Sequence, residues 1–231
     1  FAIKAYDEDF NFGALSNSPS AASNNVTTTI SSATLYLQKG DGLTSSETDD
    51  THINQVVSVW NYGIATSSGI DSTTAKSFIK FPNFMGENTD QVVPKVTVNK
   101  AYLILYNNNA ASNTVYAYKM VRNWIEGTEN GETLKASGES GMTWYNAEAS
   151  YNQQGENVPW GTAGASSTTS DYNSTKLDAS GNAPSIVSQW YQYDITSAAQ
   201  AWVNMTSANY GVLLMKDSGS DWVSFDSSES A

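Results

Sequence analysis

The stretch "KAYLILYN", residues 100–107, decides the fold class. Ala101, Leu103 and Leu105 fall on one face of a period-two strand, and Tyr102, Ile104 and Tyr106 on the other. Apolar residues on both faces describe a central strand covered twice. Working outward, "ATLYLQ" (33–38) puts Leu35 and Leu37 on one face, and "KSFIKF" (76–81) sets Ile79 and Phe81 against Lys80. "VVSVW" (56–60), "TVYAYKM" (114–120), "WYQYDI" (190–195), "YGVLLMK" (210–216) and "DWVSF" (221–225) read the same way. Turns rich in Gly, Asn and Ser separate them. About eight short strands with such punctuation predict an all-β chain, a jelly-roll-like β-sandwich.

Two segments depart from this pattern. In "DITSAAQAWVNM" (194–205), Ile195, Ala198, Ala199, Trp202 and Val203 recur at helical spacing, and Ser197 and Gln200 stand at the offset of a capping box. One short helix is expected there, closing an end of the sandwich. From Glu126 to Ala183 the chain is polar and glycine-rich around Trp144 and Trp160, which predicts ordered excursions pinned by those rings.

The first residues, Phe1, Ala2, Ile3, Lys4, Ala5 and Tyr6, form a short alternating strand, with Phe1, Ile3 and Ala5 expected inward and Lys4 outward. A Ser/Asn-rich leash follows. The domain reading is residues 1–32 as an extended strand and linker arm, and residues 33–231 as the sandwich.

The net charge is −12 with only 15% charged residues, and the isoelectric point is near 4.3. Such a surface excludes nucleic acid as a partner, because phosphates need Lys and Arg to replace their counterions. It favours cations, neutral glycans, or repulsion between copies. There is no cysteine, hence no disulfide or thiol chemistry, and no run is apolar enough to span a membrane. A start at Phe1 suits a secreted chain whose signal peptide has been removed, and Asn-X-Thr sequons at Asn25, Asn173 and Asn204 suit an extracellular glycoprotein.

Catalysis finds little support: the single His52, in "DDTHIN", reads as a solvated loop residue, and no pair of carboxylates is singled out. The expectation is no enzyme. Calcium is the expected cofactor. In "GDGLTSSETDDTH" (40–52), Asp41, Glu47, Asp49 and Asp50 offer hard oxygen donors, with Asp226 and Glu229 as an alternative set. A plain solvated acidic turn is the competing reading. Glu126, beside Trp124, reads as a hydrogen-bonding partner for a turn. For a sugar-stacking face the candidates are Tyr145, Tyr151 and Trp160, which lie in the loop region.

The stretches "RNWIEGTENGETLKASGESGMTWYNA" (122–147), "VPWGTAGASSTTSDYN" (158–173), "WYQYDITSAAQAWVN" (190–204) and "NYGVLLMKDSGSDWVSFDSSES" (209–230) resemble the DNRLRE domain family, in particular its disaggregatase-related branch in archaeal surface proteins. The resemblance rests on the order of Trp124 and Glu126, Thr143 and Trp144, Trp160, Asp194 to Thr196, Trp202, and Phe225 to Glu229, and covers roughly residues 75 to 229. It implies a jelly roll, a cell-surface location and, in some branches, binding of acidic polysaccharide. In that family the Ser-Glu turn leads into a last strand, whereas this sequence stops at Ala231. The expectation is a sandwich lacking one strand, whose slot Phe1 to Tyr6 fills. Two functions follow: a subunit that polymerises head-to-tail with copies of itself by strand donation, or a monomeric module that binds polysaccharide.

Overall fold

Pairing along the segment 101–109 organises half of the molecule. The computed structural model describes residues 2–9, 31–39, 47–88, 90–151 and 157–230. In chain order the strands are β1 (Ala2–Asp9), β2 (Ser31–Leu37), β3 (Asp49–Asn54), β4 (Ser67–Ile70), β5 (Ala75–Lys80), β6 (Ala101–Asn109), β7 (Val115–Met120), β8 (Ser140–Gly141), β9 (Asn146–Ser150), β10 (Val158–Pro159), β11 (Tyr172–Lys176) and β12 (Gln189–Asp194). The helix α1 (Thr196–Val203) follows, then β13 (Val212–Lys216) and β14 (Val223–Asp226). The fold is an all-β sandwich with a single short helix among the described residues.

One sheet runs β2-β1-β6-β14-β4, with β12 also on β6; the facing sheet runs β11-β7-β13-β5-β3. All pairings between these strands are antiparallel. Between the sheets lies the main core, built from Leu37, Ile79, Leu103, Leu105, Leu214 and Phe225, among others. A second core covers the outer face of β7-β13-β5, where Phe78 and Leu213 meet Trp124, Met142, Trp144 and Trp160. The small sheet β10-β9-β8 belongs to this cover. Strands between the two cores are covered twice, β5 most completely, being buried at every position from Ala75 to Lys80. This corrects the expectation for β6: it alternates, with Tyr102, Ile104 and Tyr106 half exposed on its outer face.

Burying β5 on both faces requires its lysines to be satisfied in place. Lys76 Nζ donates to Gly164 O at 2.7 Å and to Ser166 Oγ at 2.9 Å. Lys80 pairs with Asp49 at 2.8 Å and lies 4.6 Å from the Trp124 ring centre.

Three further expectations are revised. "VVSVW" is no strand: Asn54 Oδ1 accepts the Val56 N–H at 2.9 Å, an Asx turn that ends β3 and leaves Val56 and Val59 exposed. The capping box does not form at α1. Gln200 instead accepts from the Val98 N–H at 2.8 Å and donates to Val96 O at 3.0 Å, while Asp194 Oδ1 takes the Thr196 N–H at 2.9 Å. His52 is no loop residue but a buried member of β3, stacked on Tyr62 at 3.9 Å between ring centres.

Candidate metal centre and strand slot

The register around β6 locates β1. Tyr102 pairs with both Lys4 and Asp194, so β1 and β12 lie on opposite edges of β6. Asn107 pairs with both Gln189 and Phe225, so β14 shares its edge with β1. Both strands are antiparallel to β6, β14 opposite residues 107–109 and β1 opposite residues 101–104. They therefore run in the same direction and in line, the end of β14 followed by the start of β1. On its other edge β1 pairs with β2, from Ile3 opposite Leu37 to Asp9 opposite Ser31. Thus β1 is interior to the sheet, and in this single chain it occupies the chain's own slot. Phe1 lies outside the described residues.

A cluster of carboxylates gathers where β14 ends. Asp50 enters from the start of β3, Glu126 from the loop after β7, and Glu229 from the turn after β14; one oxygen from each lies within 4.8 Å of the others. Lys39, two residues beyond β2, forms an ion pair with Glu229 and a 3.1 Å hydrogen bond to Ser228 Oγ. Glu126 Oε1 accepts the Asp50 N–H at 2.6 Å. Asp50 Oδ1 accepts the Ser228 N–H at 2.9 Å, whereas Oδ2, shut off from solvent, has no hydrogen-bond partner among the described residues.

This arrangement resists the ionisation of its own carboxyls. Burial pushes the Asp50 carboxyl up to about 7, opposed by Ser228 and Lys39 and reinforced by Glu229. Burial likewise pushes Glu126 up to about 8, with Asp49, Asp50 and Glu229 adding repulsion against the Asp50 N–H. For Lys39, burial alone would lower the pKa, but the hydrogen bond and charge of Glu229 raise it above the ordinary lysine value.

Glu126 is fixed from behind by Asn61, which is fully buried. Asn61 Nδ2 donates to Glu126 O at 2.6 Å and to Met142 O at 3.1 Å, and its Oδ1 accepts the N–H groups of Gly63 and Glu129, both at 3.1 Å. Gly127 takes φ +93°, and a Cβ there would meet Asn61 Oδ1 at 2.3 Å. In front of Glu126 an open cavity of about 400 Å³ is bordered by Asp49, Glu139 and Ser140.

The acidic run expected to act together is split. Asp49 and Asp50 alternate along β3, so Asp49 turns to Lys80 while Asp50 turns to the cluster. Glu47 is exposed and accepts from Asn83 Nδ2, and Asp41 lies outside the described residues. Of the alternative pair, Glu229 joins the cluster, and Asp226 instead accepts from Asn108 Nδ2 at 2.6 Å. Sequence reasoning missed Glu126 as a ligand. Its partners lie 76 positions before it and about a hundred after it, and no local spacing announces that.

The aromatic candidates separate as well. Trp160 is 5% exposed, stacked on Phe78 at 5.6 Å with its Nε1 donating to Thr143 O at 2.9 Å; it is core and closed to a ligand. Tyr145, 52% exposed, borders an open cavity of about 460 Å³ with Asn146 and Asn157, and Tyr151 is half buried outside that lining. The sequon residues Asn173 and Asn204 are exposed, and Asn25 lies outside the described residues.

Comparison with protein-family models, with curated proteins and with solved structures gave no match. The resemblance to the DNRLRE family therefore rests on the ordered residues alone.

Proposed function

We propose that this chain is a structural subunit of an extracellular, cell-surface filament, in which β1 of one subunit completes the sheet of the next. The observation that carries the reading is the position of β1. It is paired on both edges inside a sheet, yet it is joined to β2 only through residues 10–30. At about 3.3 Å per extended residue, that connection reaches roughly 70 Å, enough for the chain's own slot or a neighbour's. An inserted strand gives main-chain hydrogen bonds on both sides, which is how strand addition generates affinity. Each subunit then accepts one strand and gives one, a head-to-tail contact that propagates without needing to close. The acidic surface and the exposed Asn173 and Asn204 sequons agree with a place outside the cell.

The absence of cysteine makes the test clean. Lys4→Cys with Tyr102→Cys places two thiols at paired positions of β1 and β6. Oxidised protein should run as a ladder of covalent oligomers on a non-reducing gel. A product that stays entirely monomeric and internally bridged would show that each strand serves its own chain.

A second reading is a polysaccharide-binding module, favoured by the open cavity beside the exposed Tyr145. Calorimetry with neutral and acidic polysaccharides, and loss of their binding in Tyr145→Ala, would support it.

A further inference from the structure

We propose that Asp50, Glu126 and Glu229 form a binding site for a hard divalent cation, Ca²⁺ by preference, and that the ion fastens the joint where β14 ends and β1 begins. The proposal relies on the strand reading only for what the ion fastens; binding itself stands on the cluster. Once an entering ion has displaced their protons, the three carboxylates against one ammonium, that of Lys39, amount to a charge of −2, which one divalent ion would neutralise. Oxygens bound to one Ca²⁺ at about 2.3–2.6 Å can be no more than roughly 5 Å apart. The three carboxylate oxygens, within 4.8 Å of one another, meet that condition.

The observation that points to a ligand is Asp50 Oδ2. Asp50 is 1% exposed and belongs to the cluster, and this oxygen has no hydrogen-bond partner among the described residues. Burying an unsatisfied carboxylate oxygen is expensive unless something charged meets it. Among the described residues no other carboxylate has a buried oxygen left without a hydrogen-bond partner. Asp171 is saturated by Arg122 and by the N–H groups of Gly161, Thr162 and Ser167, and Asp49 is held by Lys80. The open cavity before Glu126 leaves room beside that carboxylate for water molecules of the kind that complete a shell of six to eight oxygens. Mg²⁺, which demands a near-ideal octahedron, suits an irregular three-carboxylate set less well.

The location gives the ion its role. Glu229 follows β14, and Lys39 follows β2 at the end where Leu37 pairs with Ile3. An ion here would tie the turn after β14 to β3 and to the Glu126 loop, beside the mouth through which β1 enters.

The test is calorimetric titration of EGTA-stripped protein with CaCl₂ and with MgCl₂, alongside melting curves at matched ionic strength. One Ca²⁺ per chain should bind and raise the melting temperature, with Mg²⁺ at least tenfold weaker. Glu126→Gln should weaken Ca²⁺ at least tenfold. Lys39→Gln should strengthen it, because the competing ammonium is gone. Neither variant removes the fully buried Asp50, so both remain informative if Asp50→Asn fails to fold. Absence of saturable binding in the protein and in Lys39→Gln would overturn the proposal, as would binding that Glu126→Gln leaves unchanged. Ca²⁺ binding by a chain that never assembles would overturn the filament and leave the site; assembly indifferent to EGTA in a chain that binds no ion would overturn the site alone.

Discussion

The backbone N–H of Asp50 donates to Glu126 Oε1 over 2.6 Å, so the group that positions one carboxylate is the amide of another acidic residue. The bond ties β3 to the loop after β7 and brings two carboxyl groups together in a place where burial opposes their ionisation. It also spends one lone pair of Glu126, a residue that lines the open cavity. Such closeness persists only because the surrounding frame holds it, and that frame begins with Asn61.

Replacing Asn61 should therefore act on both stability and the carboxylate cluster. Asn61→Ala leaves Glu126 O and Met142 O without their donor, and the N–H groups of Gly63 and Glu129 without their acceptor. Each buried orphan costs about 1–3 kcal/mol, and partial relaxation brings the expected loss to several kcal/mol. Denaturant unfolding measures it. Asn61→Asp should be nearly as harmful, since a carboxylate cannot donate to two carbonyls.

Removal of residues 1–9 should strip β2 of its seven paired positions with β1 and leave residues 101–104 of β6 open on one edge. The truncated chain is expected to melt earlier and to form no filaments under the electron microscope. Adding a peptide of sequence FAIKAYDED should restore stability by about 2.7 kcal/mol at a hundredfold excess over its Kd. Filaments from the truncated chain alone would contradict the strand-donation reading.

Trp160→Ala should destabilise the fold rather than remove a ligand contact. The ring is buried against Phe78, and its deletion leaves a large cavity in the second core. The expected cost is about 3–5 kcal/mol by thermal or chemical unfolding. Tyr145→Ala, at a half-open position, should stay within about 0.5 kcal/mol of the parent.

Lys76 gives a pH signature. Burial lowers its pKa from 10.5 to about 8, with the charge of Asp171 working the other way. Between those two values the unfolded chain holds a proton that the folded chain has released, so stability from this group rises with pH across that window. The gain is on the order of 3 kcal/mol between pH 7.5 and 10.5. Comparison with Lys76→Met cancels the other titrating groups. The difference in unfolding free energy should move toward the parent protein as pH rises, and a flat difference would mean that Lys76 keeps its ordinary pKa.

Much of the sandwich was legible because β6, β7, β12, β13 and β14 carry runs of apolar and aromatic residues at strand length, alternating in burial in β6 and buried on both faces in β13. β3 escaped notice since "DDTHIN" is polar. It is buried by tertiary partners, among them Tyr62 against His52 and Glu126 against Asp50. The four-residue β4, "SSGI", has the composition of a turn and becomes a strand only because β14 pairs with it. The metal candidates were half legible. Period-two alternation in β3 separates Asp49 from Asp50, but the meeting of Asp50 with Glu126 and Glu229 is a product of the closed sandwich. Trp160 was misassigned for the same reason: a loop in the sequence can be the lid of a core.

The collinear placement of β14 and β1 has a mechanical consequence. Tension applied along that line pulls β1 parallel to its neighbours, so the hydrogen bonds on both of its edges bear load together, in shear. Peeling the strand sideways would break them one at a time, but β2 and β6 flank it and block that route. A thread assembled through this joint would resist stretching far better than bending, and its first failure under load would be sliding of β1, not unfolding of the sandwich.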